Sequence, residues 1–358
     1  MTQQKNLLLI QMLRGIASIL VVLFHMTLNF SEIFNQPFLF NAFKFGSSGV
    51  DIFFVLSGFI ITYANRSFLA QPSKTGIFLR RRFIRIFPIY WIIITIFLLI
   101  QLAFPQYYRT HYDLGIFNFL STYFLLPDHK MINGVSWTLT NELFFYLLFT
   151  LAILIPVKKY SFYLLLAYFV LLTTLMLTGT GPVGGNAYSA LFLFPMNIEF
   201  LLGVFIVLIV DRISKRWIWP LLLAGTGWFL ASAYIVDQGI YEGNVHLSHI
   251  LNRVVLFGFP SFLIILALVK MELHDTIRVK KILLYLGDAS YAIYLIHLPL
   301  VVAFYKVITK LEIQNKYLLL LLNCLLFCAI CFIGIISYLK IEKPLIKKLN
   351  HRKLNKQK

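Results

Sequence analysis

The chain has 358 residues, of which 59% are hydrophobic and only 13% charged, and its mean hydropathy is +0.81. Soluble domains run about 45–50% apolar and about 25% charged, so this composition excludes a soluble globular protein and, more firmly, a disordered one. The 32 Lys/Arg against 14 Asp/Glu leave a formal charge of +18, which points to nucleic acid or to a membrane surface depending on where the cations sit.

A membrane-spanning helix needs about 20 largely apolar residues. Reading between charge clusters predicts ten such helices, at about 7–30, 50–65, 86–104, 142–157, 160–178, 190–210, 217–236, 251–269, 282–305 and 317–339. The predicted fold class is therefore all-α: a polytopic integral membrane protein with about ten transmembrane helices. Residues 1–345 form the transmembrane domain and 346–358 a basic tail. With the N-terminus inside, 25 of the 32 Lys/Arg fall in the N-terminal segment and alternate loops on that side, and 7 on the other. Cytoplasmic loops hold the Lys/Arg excess, so both termini are expected in the cytoplasm. The charge then reads as topogenic, facing anionic membrane lipids, and no nucleic-acid partner is expected.

The first span carries Arg14 and His25. Eleven residues make three helical turns plus about 20°, so both point the same way, about 16.5 Å apart along the axis. Charged groups inside spans are costly and mark function by default. The plainer alternatives are a snorkelling arginine and a histidine bonded to a neighbouring helix. This span is not an obvious secretory signal, because Arg14 interrupts it and no small-x-small cleavage site follows. Span two opens with Gly49, Val50 and Asp51 and contains Ser57 and Gly58. Asp51 can pair with His25 or cap its own helix.

A run of arginines, Arg80, Arg81, Arg82 and Arg85, precedes Pro88, Tyr90 and Trp91. Pro88 suits the opening turn of span three. Arg82 and Arg85 have helical-neighbour spacing, and paired guanidiniums clamp phosphate well; simple anchoring of the span is the alternative. The 37 residues from Pro105 to Asn141 form the longest external segment. Its apolar stretch Leu114–Leu126 is too short to span and is expected to lie in the membrane interface.

Ser136, Trp137 and Thr138 precede Asn141 and Glu142 at the external mouth of span four, with Tyr146 one turn on. A carboxylate here can orient a histidine, bind sugar hydroxyls or satisfy the helix dipole. Glu199 falls within span six and needs a partner. In span nine, Tyr291, Tyr294 and His297 step by three below Asp288, a pattern expected of a bundle-stabilising hydrogen-bond network. Cys324, Cys328 and Cys331 share one face of the last span and read as packing residues, without a disulfide framework. His246 and His249 lack a ligand set, so no metal is expected. Thr178–Gly185 lacks the Lys-Ser/Thr of a phosphate loop, and no G-x-S-x-G elbow is present.

In order along the chain stand Arg14 and His25, GVDIFFVLSGFII at 49–61, RRFIRIFPIYW at 81–91, SWTLTNELFFYLLF at 136–149, YLGDASYAIYLIHLPL at 285–300 and IEKPLIKKL at 341–349. This series resembles the acyltransferase-3 family of integral-membrane acyltransferases. Arg14 and His25 match its arginine-ten-residues-histidine motif, Arg82 and Arg85 its R-x-x-R pair, and Ser57, Gly58 and Phe59 its serine-glycine-phenylalanine segment. Glu142 matches the acidic position, although Asn141 stands where many relatives carry a second glutamate. The chain looks like the stand-alone form without a fused SGNH-type domain.

The resemblance implies transfer of an acyl group, usually acetyl, from cytoplasmic acyl-coenzyme A to a hydroxyl of a cell-surface polysaccharide or lipid-linked sugar. His25 would act as base or carry the acyl group. Arg14 would hold a donor phosphate or steady the thioester, and Arg82 and Arg85 would clamp donor phosphates. Glu142 and Asp51 would orient His25 or the acceptor from the outer side. The expected location is the inner or plasma membrane. A polytopic transporter or flippase for a lipid-linked or small polar substrate is the alternative; it moves substrate without consuming coenzyme A.

Overall fold

The computed structural model describes residues 7–36, 42–104, 115–127, 132–178, 186–238, 253–275 and 277–351. Arg109, Lys130, His246, His249, most of the glycine-rich stretch and the last seven residues of the basic tail lie outside them. Among the described residues the protein is helical without strands, and ten segments are long and apolar enough to cross a membrane. The helices are α1 (Leu8–Phe34), α2 (Gly49–Asn65), α3 (Thr75–Ala103), α4 (Ile116–Phe124), α5 (Trp137–Leu154), α6 (Lys158–Thr178) and α7 (Ala187–Phe192). They continue with α8 (Asn197–Ile209), α9 (Ile218–Asp237), α10 (Phe259–His274), α11 (Lys281–Asp288), α12 (Ser290–Lys310), α13 (Lys316–Ser337) and α14 (Lys343–His351).

The number of spans is as the sequence predicts, but several boundaries move. Helix α3 begins at Thr75, so the arginine run lies inside the helix and Pro88 sits in its interior rather than in the opening turn. Proline removes one intrahelical bond, here the one the Ile84 carbonyl would accept. The predicted ninth span is two helices, α11 and α12, separated by Ala289. The tail boundary at 345/346 falls within α14, which runs on to His351.

Helix α2 is the centre of the bundle. The most apolar window of its span is 72% buried, against 22% for that of α6, which therefore faces lipid. Small residues let membrane helices approach closely, and α2 meets α8 this way. A Cβ on Gly58 would run into the Phe200 carbonyl, and one on Gly203 into the backbone of Val55 and Phe59. Neither obstacle is a side chain that can swing aside. Gly58→Val should therefore cost about 3 kcal/mol or more, the upper end for overpacking, whereas Gly76→Ala, with nothing within 4 Å, should leave the melting temperature in detergent unchanged. Equal melting temperatures for the two variants would contradict this packing.

Helices α1 and α12 lie side by side in register. Gly15 meets Gly287, where a Cβ would stand 2.9 Å from the backbone nitrogen, and Gln11 hydrogen-bonds Asp288. Ten residues on from Gly15 and from Gly287, which lies at the end of α11, stand His25 on α1 and His297 on α12. The N-terminal end of α1 is completed by Glu272 at the end of α10, which accepts from Leu9 N at 2.9 Å and Ile10 N at 3.4 Å; a carboxylate there satisfies donors a helix start leaves orphaned. Lys270 is buried and donates to the Val210 carbonyl at 3.0 Å, so it closes a helix end instead of sitting in a loop. We call the end of the bundle where α1 begins the proximal end.

Helix α4 is held against the middle of α3 by Tyr90, Trp91 and Thr95. Tyr90 Oη donates to the Thr122 carbonyl at 2.7 Å and Trp91 Nε1 to the Tyr123 carbonyl at 2.8 Å. These are carbonyls of the last turn of α4, which has no intrahelical donor for them. The three cysteines, free and mostly exposed, lie on the outward side of α13, so they do not pack the core.

Candidate functional site

A cavity of about 350 Å³ opens among α1, α2, α3, α5, α12 and α14. Its wall includes Arg14, Arg82, Arg85, Ser57, Glu142 and Tyr294, with apolar side chains such as Phe53, Phe54, Ile60 and Leu139 between them. Ile346 and Asn350 of α14 also line it, and the Leu349 carbonyl accepts from Arg80 Nη2 at 2.6 Å. The predicted tail is thus partly a helix laid against the cavity.

The arginines differ in how they are satisfied. Arg85 forms an ion pair with Glu342 at 2.5 Å, and its guanidinium lies 5.5 Å from the Tyr291 ring centroid. Arg82 lies over the rings of Tyr146 and Phe78, at 5.6 and 5.7 Å, and its Nε is buried without a hydrogen bond. Neither Arg14 nor Arg82 has a carboxylate within 4 Å among the described residues. Two guanidiniums that line a largely apolar wall without a direct ion pair among the described residues are suited to an anion, and guanidinium forks suit phosphate.

Glu142 does not stand at the external mouth. Helix α5 begins five residues earlier, at Trp137, so Glu142 lies level with Ser57 in the middle of α2. Its Oε1 accepts from Tyr146 Oη at 2.6 Å and from Ser57 Oγ at 3.3 Å. The carboxylate therefore shares the cavity with the arginines, at a distance from His25.

Asp51 is committed elsewhere. Arg253 grips it through Nε at 3.0 and 3.1 Å and Nη2 at 2.7 Å, and also donates to the Ser47 carbonyl at 2.6 Å. Glu199 is fully buried, and its carboxylate packs against Gly258. Asp51 makes no contact with His25, so the pairing envisaged from sequence is replaced by an ion pair with a residue 202 positions away.

His25 is half-buried on α1 and does not line the cavity. Its Nδ1 lies 3.0 Å from the Val21 carbonyl and 3.2 Å from Nε2 of His297. Tyr294 separates this pair from the cavity, with its ring 5.6 Å from that of His297. The structure thus brings Arg14, Arg82, Arg85 and Glu142 together, sets His25 beyond them, and leaves Asp51 apart. Three partnerships escape the sequence reading: His297, expected only in a hydrogen-bond network, with His25, Glu342 with Arg85, and Arg253 with Asp51. Each had a signal: a histidine within a membrane span, the lone acid in the basic C-terminal run, and an arginine opening a span near the level of Asp51.

A multi-pass bundle of apolar helices around an arginine-lined internal cavity is the architecture of an integral membrane protein with a polar site between its helices. The chain belongs to the acyltransferase-3 family: residues 8–339 match that family, described as an acyltransferase domain. It is an acyltransferase enzyme of the membrane. Among its relatives is the exopolysaccharide production protein ExoZ of Rhizobium meliloti (strain 1021), 25% identical over 327 residues, covering 87% of this chain and 93% of that protein. Nodulation protein 10 of Rhizobium leguminosarum bv. viciae is 29% identical over 276 residues, 71% of each chain. Acyltransferase MdmB of Streptomyces mycarofaciens is 26% identical over 277 residues, covering 70% of this chain and 67% of that protein. No solved structure matches the chain.

Proposed function

We propose that the protein moves an acyl group, acetyl in the first instance, from acyl-coenzyme A to a hydroxyl of a cell-surface polysaccharide or its lipid-linked precursor. The observation that carries this reading is Arg14, a cation inside the membrane that faces the cavity without a carboxylate partner. A donor bearing phosphates at one end and a thioester at the end of a long flexible arm matches it. Its phosphates would meet Arg82 and Arg85 near the proximal end, and its arm would run past Arg14 toward His25. The Lys/Arg excess of the alternate loops supports a cytoplasmic proximal end, on the side where such donors are made. The name of one relative, an exopolysaccharide production protein, supports a glycan acceptor.

In the reaction the acceptor O–H gives its proton to the His25 imidazole, and the oxygen attacks the thioester carbonyl. The C–O bond forms, the C–S bond breaks, and the departing thiolate takes up the proton. An imidazole titrates in the range this exchange needs. In the covalent variant His25 takes the acyl group first and passes it to the oxygen. Glu142, tied to Ser57 and Tyr146, has the role of positioning the donor arm by accepting from its amides.

The test is purified protein in lipid nanodiscs with acetyl-coenzyme A and exopolysaccharide fragments. Free thiol and acetylated glycan are expected in equal amounts. Thiol release that is no faster than in empty nanodiscs, across acetyl- and succinyl-coenzyme A, would overturn the reading.

A further inference from the structure

Resting on the reading of His25 as base or acyl carrier, we propose that His297 is a positioning residue that, together with the Val21 carbonyl, orients His25 and holds it in the tautomer leaving its Nε2 unprotonated. The argument is one of donors and acceptors. His297 is fully buried, and its Nδ1 lies 2.6 Å from the Tyr294 carbonyl. A carbonyl only accepts, so His297 Nδ1 carries the hydrogen. In a neutral imidazole the other nitrogen is then a bare acceptor. That nitrogen, Nε2, stands 3.2 Å from His25 Nδ1, so the hydrogen between the rings belongs to His25. The remaining contact of His25 Nδ1, the Val21 carbonyl at 3.0 Å, also only accepts. One protonation pattern satisfies all three contacts. It leaves the lone pair of His25 on Nε2, the nitrogen without a hydrogen-bond partner among the described residues.

The arrangement is held rigidly from behind. Pro299, two residues on from His297, has no N–H, so the Leu295 carbonyl loses its helical donor. Asn133 Nδ2 supplies one at 3.1 Å. Tyr294, whose carbonyl anchors His297, is itself tied through Oη to Thr138 Oγ1 at 2.8 Å and the Val135 carbonyl at 3.1 Å. The packing of α1 against α11, where Gly15 meets Gly287, and against α12 brings the two rings to 4.9 Å between centroids. No carboxylate bonds to either imidazole among the described residues, so a neutral histidine does what an acidic residue does in a hydrolytic triad: it selects the tautomer and orients the ring.

The experiment uses His297→Phe, which keeps bulk but removes the acceptor, and His297→Gln, whose side-chain oxygen can reach the place of Nε2. His297→Phe should lower kcat about 10- to 100-fold, the range of one hydrogen bond to a group that becomes charged, with the donor KM unchanged. His297→Gln should recover most of that loss. Labelling with diethyl pyrocarbonate, which attacks the unprotonated imidazole nitrogen and is read by peptide mass spectrometry, should mark His25 more slowly in His297→Phe than in wild type or His297→Gln. Undiminished kcat and labelling in His297→Phe would overturn the assignment, as would equal loss in both variants at unchanged melting temperature. Because labelling needs no turnover, it decides the role of His297 even if wild type shows no acyl transfer, an outcome that would count against the proposed function instead.

Discussion

His25→Ala is expected to lower acyl transfer at least about a hundredfold, since a positioned general base contributes about 10²- to 10⁴-fold, while donor binding stays at the wild-type level. The separation follows from the geometry. The arginines occupy the cavity wall, and His25 stands outside it, behind Tyr294. Removing the imidazole touches neither Arg14 nor Arg82. The half-buried His25 side chain makes only local bonds and ring contacts, to Val21, Phe24 and His297, so membrane levels and melting temperature should change little. Donor affinity is read by calorimetry with coenzyme A and turnover by product formation. The same preparation separates the two chemical routes. If His25 is an acyl carrier, wild type and donor without acceptor should release one thiol per protein in a burst, and His25→Ala none. If it is a base, neither shows the burst. Turnover above one-tenth of wild type in His25→Ala would remove His25 from the chemistry.

The parts of this architecture that were legible in the sequence are those with a local cause. Ten spans emerge from runs of apolar residues between charges, and the alignment of Arg14 with His25 is helical arithmetic. What was not legible depends on which helix lies beside which. Asp51 and Arg253, or Arg85 and Glu342, are pairs across long separations, and one sequence without tertiary structure leaves each carboxylate a choice of cations. The start of α3 was misplaced because its first turns carry Arg80 to Arg85. A charged run reads as a loop, yet here the guanidiniums lie over Phe68, Phe78, Tyr146 and Tyr291 and the helix continues through them. Glu142 was assigned to a membrane surface for the same reason, since a polar stretch before an apolar one looks like the outside. His297 was read as part of a structural network, and its role depends on the packing of α1 against α11, where Gly15 meets Gly287, and against α12.

Arg14 gives the opposite stability signature from its neighbours. A charge inside a membrane bundle is destabilising unless it is paired, and Arg14 has neither an ion pair nor a hydrogen bond among the described residues. Arg14→Gln should therefore leave the melting temperature of the free protein unchanged or raise it. Arg85→Gln should lower it, because it strands the buried Glu342 carboxylate; breaking a buried pair costs about 3–5 kcal/mol, less here because Arg85 is part-exposed. On the functional side the order reverses. Losing a charge-assisted hydrogen bond costs about 1.5–3 kcal/mol, so Arg14→Gln should raise the donor KM about 10- to 100-fold. Arg14→Lys, which keeps the charge but loses the planar fork, should fall between. Saturating coenzyme A should raise the melting temperature of wild type more than that of Arg14→Gln, since a ligand's stabilisation of the fold grows with its affinity. Arg14 is then a cation whose cost to the fold is offset only when the anionic donor arrives. If Arg14→Gln instead melts lower than Arg85→Gln and binds coenzyme A as wild type does, Arg14 is a structural residue and the cavity is not the donor site.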